Sequence, residues 1–265
     1  MAGRAKWSLG FQTSPKMVDR RTGNVPLTYP TKIVSAMDNI TSVKYENIFC
    51  EEYRQQLKDA LRTNDELGEI FATVTLATGY NDGGSRLSQQ LKQVARLIKA
   101  KDSRKAERDI FYTSLGGFDH HQNVVVGVRD GLQQVDDALS AFVMELKSQG
   151  SFDEVTLVMN TDFGRTLAPN SNAGTDHGWT ANTFVLGGSV NGGKVLNRYP
   201  ETLLPGHAMD TFHGRIIPSH PWESIMVPIA EWMGVEPAQL RGVFPNIDNF
   251  NKSKHILPRT TVFSN

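Results

Sequence analysis

The stretch "EVTLVMNTDFGRTLAPNSNAGTDHGW" (154–179) decides how this chain is read. Its apolar run, residues 155–159, has the length and β-branched character of a buried strand. It passes directly into a Gly- and Asn-rich segment that carries Asp162, Arg165, Asp176 and His177. Charges crowded at a strand end have two readings: a site for a metal ion or an anion, or a satisfied surface turn.

Upstream, Leu132, Val135, Leu139, Phe142, Val143 and Leu146 fall on one face of a long helix that Gly150 stops. Before it, "RDIFYTSL" (108–115) reads as a buried strand and leads into "GGFDHHQN" (116–123). Strand, helix and strand with short connections form a βαβ unit, so the two strands are expected to be parallel. The loops after residues 115 and 160 then both lie at the carboxyl edge of the sheet, where open α/β sheets place their ligands. The expected fold is therefore an α/β three-layer sandwich with a mostly parallel sheet.

The remaining elements fill in around that unit. "NTFVLGG" (182–188) is a third strand candidate, and residues 51–67 are helical in pattern. Leu87, Leu91, Val94, Ala95 and Ile98 form the apolar stripe of another helix. "HPWESIMVPIAEWMGV" (220–235) is a helix with Pro221 at its first position, Glu223 two further on, a kink at Pro228 and a stop at Gly234. Residues 1–50 read as an irregular segment in which "DRRTGNVPLTYP" (19–30) is a turn inside something already under way; residues 51–265 read as a single α/β domain.

Composition narrows the function classes. Among 265 residues, 28 Lys and Arg balance 28 Asp and Glu, which removes a bulk electrostatic argument for nucleic acid or an acidic membrane. Cys50 is the only cysteine, so a Cys-based zinc cluster, a redox pair and an intrachain disulfide are excluded. No apolar run is long enough to span a membrane, and the first residues lack the apolar core of a signal peptide.

Asp119, His120 and His121 stand just past a strand candidate, behind two glycines that permit a tight turn. A carboxylate with imidazoles suits a borderline divalent cation such as zinc, manganese or iron; zinc, manganese and calcium are the ions to test. The bland alternative makes Asp119 a helix cap. On a shared rim Asp119, Asp162 and Asp176 would repel one another. Either Arg165 and Arg129 neutralise them or a divalent cation does, and the accompanying histidines favour the cation. His213 and His220 read as surface or cap residues. "DFG" (162–164) lacks the other kinase motifs. "GGSVNGGKV" (187–195) has Val195 where a phosphate-binding loop needs Ser or Thr, and reads as a glycine-rich turn.

Taken together, "SLGGFDHHQN", the segment 158–195, "GRIIPSHPWE" and "AEWMGV…LRGVFPNIDNF" resemble the domain-of-unknown-function family 1501 over about residues 85–250. That family is grouped with the alkaline-phosphatase-like superfamily of metal-dependent phospho- and sulfo-transfer enzymes. The resemblance implies an alkaline-phosphatase-like fold with metals at the carboxyl edge of its sheet. It assigns ligands to Asp119, His121, Asp162 and His177, and makes Asp176 a ligand or an orienter of a histidine. His120 takes the place of a common threonine, and Phe163 stands where a histidine of a second metal would be. Arg165 would bind the anionic group of a small phosphate or sulfate ester.

The superfamily's opening strand, with its metal-binding Asp and its Ser or Thr nucleophile, has no counterpart in residues 1–80. The chain is therefore expected to be N-terminally incomplete, with its nucleophile unknown and catalysis by this form left open. Relatives are often exported. The expected function is a metal-binding, hydrolase-like domain acting on phosphate or sulfate esters; the alternative is a non-catalytic scaffold that binds a metal or an anion.

Overall fold

The computed structural model describes residues 31–80, 85–197 and 199–264. The turn assigned to residues 19–30 lies outside them. The chain divides into two compact units, one holding the residues up to Leu115 with Gln134–Ser148, the other Gly116–Gln133 with Gln149–Asn265.

The first unit is helical. Helices α1 (Thr31–Ser42), α2 (Ile48–Ala72), α3 (Arg86–Lys99) and the single turn α4 (Lys101–Arg104) belong to it, with the later part of α5 (Val124–Gln149). Asn47 starts α2 by accepting the amides of Phe49 and Cys50, and Ser85 starts α3 by accepting that of Ser88. Leu67 and Phe71 of α2 pack on Leu97 of α3, with Phe111 against them. The charges buried here are paired. Arg104 donates twice to the carbonyl of Leu97 and meets Asp109 at 2.5 Å. Glu145, fully buried, accepts the amide of Thr78 at 2.6 Å. Burial, and secondarily the charge of Glu145, pushes the Tyr80 hydroxyl well above its ordinary value.

The second unit carries every described strand. β1 (Thr156–Met159) pairs antiparallel with β4 (Phe184–Gly187), Thr156 opposite Gly187 and Met159 opposite Phe184. β2 (Gly164–Pro169) pairs antiparallel with β3 (Thr175–Gly178) as a hairpin. Helix α6 (Glu223–Trp232) seats Val227 on Phe244 and Ile247, and the short turns α7 (Leu240–Val243), α8 (Lys252–His255) and α9 (Arg259–Val262) complete the unit. Gly234, at φ 92°, ends the α6 segment as its position predicts. No described helix is long and apolar enough to cross a membrane.

The α/β three-layer sandwich with a mostly parallel, alkaline-phosphatase-like sheet is therefore overturned: the described strands form two small antiparallel pairs in a helix-rich chain. The cause is local to 108–115, which forms neither helix nor strand. The Gln90 carboxamide serves Ser114 as a neighbouring strand would, accepting its amide at 2.9 Å and donating to its carbonyl at 2.8 Å. With that ladder absent, no βαβ unit exists. β1 is present but finds its partner in β4, an antiparallel neighbour from the same apolar pattern. Helix α1 lies inside the segment 1–50, whose residues up to 30 are outside those described.

Candidate metal centre

The hairpin β2–β3 places Arg165 directly opposite His177, so the two side chains share one face. Asn170 closes its tip. Its amide donates to the carbonyl of Gly174 at 2.9 Å, while its side-chain oxygen accepts the amides of Asn172 and Gly174. The tip is then bonded to the segment leading into α5. The amides of Asn123 and Val124 donate to the carbonyls of Asn172 and Ala173, and the amide of Thr175 donates to the carbonyl of His120 at 3.1 Å. The Asn170 side chain also donates to the carbonyl of His121 at 3.0 Å. Gly174 makes this contact possible, since a Cβ there would stand 2.1 Å from the carbonyl carbon of His121. Two loops distant in sequence thus meet through backbone bonds, without a parallel sheet edge.

Three potential ligand atoms converge where they meet. The Nε2 of His177 is 2.9 Å and that of His121 3.1 Å from Oδ1 of Asp119, and the two nitrogens are 3.2 Å apart. A tetrahedral ion bonded at about 2.0–2.1 Å spaces its ligands by about 3.3 Å, so this triangle needs little adjustment to close on one cation. Asp119, His121 and His177 form a group that can hold a metal ion. His121 turns its Nδ1 to Oδ1 of Asp176 at 3.4 Å. An Nδ1–H···carboxylate contact would leave the Nε2 lone pair free to coordinate. Asp176 thus sits on the far side of the ring from the other two ligand atoms, as an orienting group would.

Arg165 anchors the carboxylate. Its Nη1 donates to Oδ1 of Asp119, its Nε to Oγ1 of Thr175 at 2.9 Å, and its Nη2 to the Thr175 carbonyl. Partial burial pushes the Asp119 carboxyl up, but the hydrogen bonds from Arg165 and His177 outweigh it and hold the group below the usual range. The hydrogen bond from Asn170 is the main cause holding Asp176 low; burial opposes it, and His121 and the charge of Arg215 assist.

The other predicted residues take different places. Asp162 lies exposed beyond β1, outside the group of three. His120 turns its ring onto α5 at Gly127, where a Cβ would stand 2.2 Å from it, and its buried Nε2 has no partner among the described residues. Arg129 pairs with its neighbour Asp130. Phe163 stacks on His177, ring centres 4.1 Å apart at 26°. Sequence reading misses Asn170, Thr175 and Arg215. The Asn-x-x-x-Gly spacing of a closed tip marks the first, and nothing local marks the others.

Hairpin, crossing loop and triad define a helix-rich protein with a candidate mononuclear site where a β-hairpin meets the loop before α5. Residues 35–208 match the family described as protein of unknown function (DUF1501), and the chain belongs to that family. The match begins earlier than the quoted motifs and ends before "GRIIPSHPWE", yet it contains Asp119, His121, Asp162, Arg165, Asp176 and His177. No curated protein and no solved structure matches the chain.

Proposed function

We propose that this chain binds one divalent cation through Asp119, His121 and His177, and that the centre serves hydrolysis of a phosphate or sulfate ester. The 2.9–3.2 Å triangle of ligand atoms carries the reading. Two imidazoles and one carboxylate suit zinc, manganese or iron better than calcium, which prefers six to eight oxygen ligands. Three protein ligands leave coordination positions open, the pattern of catalytic sites. A bound cation would stabilise charge on the transferring group and activate water. The protein's own part is to fix the His121 tautomer through Asp176 and to hold Asp119 through Arg165.

The ester class comes from the motif likeness to alkaline-phosphatase-like transfer enzymes. The non-catalytic reading is favoured by two observations. The three ligands are each about half exposed, at 55%, 47% and 53%, and Phe163, stacked on the ring of His177, stands where the family resemblance would put a histidine of a second metal. Metal content of the purified protein tests the centre: wild type is expected to hold one equivalent, and His177→Ala or Asp119→Asn to lose it. Unchanged metal in both variants would falsify the assignment. Turnover of aryl phosphate and aryl sulfate by the manganese- or zinc-loaded chain separates the two readings, since a loaded chain without turnover is a binding protein.

A further inference from the structure

Resting on the metal-centre reading, we infer that Arg215 is the residue that takes the anionic group of the ligand, a tetrahedral oxyanion such as a phosphoryl or sulfuryl group. The sequence points to Arg165 for this task, but Arg165 uses all three of its guanidinium nitrogens on Asp119 and Thr175. Arg215 is placed differently. Its Nε donates to the backbone carbonyl of His177 at 3.2 Å, which ties the guanidinium to the residue that supplies one ligand atom. Neither of its terminal nitrogens makes a hydrogen bond or an ion pair among the described residues. A planar fork fixed at one edge and open at the other is the geometry that binds two oxygens of a phosphate or sulfate.

The segment that carries Arg215 is itself braced. Oδ1 of Asp210 accepts the amides of Phe212 and Gly214, and its Oδ2 accepts that of Gly206. The amide of Leu167 in β2 donates to the carbonyl of Gly214 at 3.0 Å, and Thr180 donates its hydroxyl to the carbonyl of Ile216 at 2.7 Å. Arg215 therefore projects from a turn bonded to the hairpin that carries His177. Charge points the same way. Asp119 and Asp176 are balanced by Arg165 and Arg215, so a divalent cation would bring the group to a charge of +2, which an incoming dianion neutralises.

The test is calorimetric titration of inorganic phosphate into wild type, Arg215→Gln and Arg215→Lys, each with and without manganese. Phosphate affinity is expected to fall about tenfold or more in Arg215→Gln, with manganese stoichiometry retained. Arg215→Lys should recover part of the loss, because it restores a point charge without the fork. The inference is overturned if Arg215→Gln binds phosphate like wild type, or if wild type binds none. Loss of manganese and phosphate together in both variants overturns it too, and assigns Arg215 to holding the His177 strand. A wild type that takes up no manganese but binds phosphate through Arg215 sinks the metal reading and leaves this one standing.

Discussion

The helical unit and the junction of hairpin and loop that bears the triad are built on opposite principles. In the first, Leu67, Phe71, Leu97 and Leu146 are almost entirely buried, and the charges among them, Arg104 and Glu145, are answered by backbone groups or a carboxylate. In the second, Asp119, His121 and His177 face solvent, and what fixes them is backbone bonding from the hairpin tip to the start of α5. Apolar burial is non-directional and supplies stability; crossing backbone bonds contribute less free energy but set positions to within fractions of an ångström. Stability and site geometry should therefore respond to different substitutions.

Leu146→Ala is expected to have the largest effect, lowering the unfolding free energy by about 2–5 kcal/mol in denaturant titrations. Metal stoichiometry should survive it; joint loss of both would erase the contrast. Gly174→Val should do the reverse. A side chain there collides with the backbone of His121, and metal affinity should fall about a hundredfold, the upper end of what lost ligand support costs, with little change in the unfolding midpoint. Asp176→Asn keeps the shape but weakens the hold on His121, so about a tenfold loss of metal affinity is expected, read by competition with a chelating dye.

The smallest effect is with pH. Asp119 and Asp176 both have lowered carboxyl pKa values, so the stability they contribute is fully present above the ordinary carboxylate value of about 3.9 and is lost only as pH falls through their depressed folded values. Amide exchange at Val124 and Thr175, which report the docked tip, should stay protected at pH 4 and open below it. Opening well above pH 4 would show that these carboxylates do not hold the loops.

The approach of the two polar segments was more legible in the chain than the fold. Charges after residue 115 and after residue 160 do come together, but the inferred cause, a shared edge of a parallel sheet, is absent. Alternation in "RDIFYTSL" is real, with Ile110 and Tyr112 outward and Phe111 inward. Whether such a segment becomes a strand depends on a partner, and the partner here is one side chain, Gln90, which no local pattern reveals. The stripe of α3 was readable because a helix completes its own hydrogen bonds. Leu87, Leu91, Val94, Ala95 and Ile98 are all buried. The β2–β3 hairpin was hidden by its composition, since Gly, Asn and Pro at its tip and charges along its strands read as loop.

The Arg165–Asp119 pair has a bearing on which ions the centre can admit. Oδ1 of Asp119 is already shared by a guanidinium that is itself fastened to Thr175. Any entering cation must therefore compete with a positive charge that cannot drift away. An ion bound by carboxylate attraction alone meets that competition with nothing in hand, whereas one that also bonds two imidazoles gains contacts the guanidinium cannot make. On the proposed metal reading, a tethered arginine of this kind would act as a threshold, biasing the site against the abundant hard cations before coordination geometry has any say.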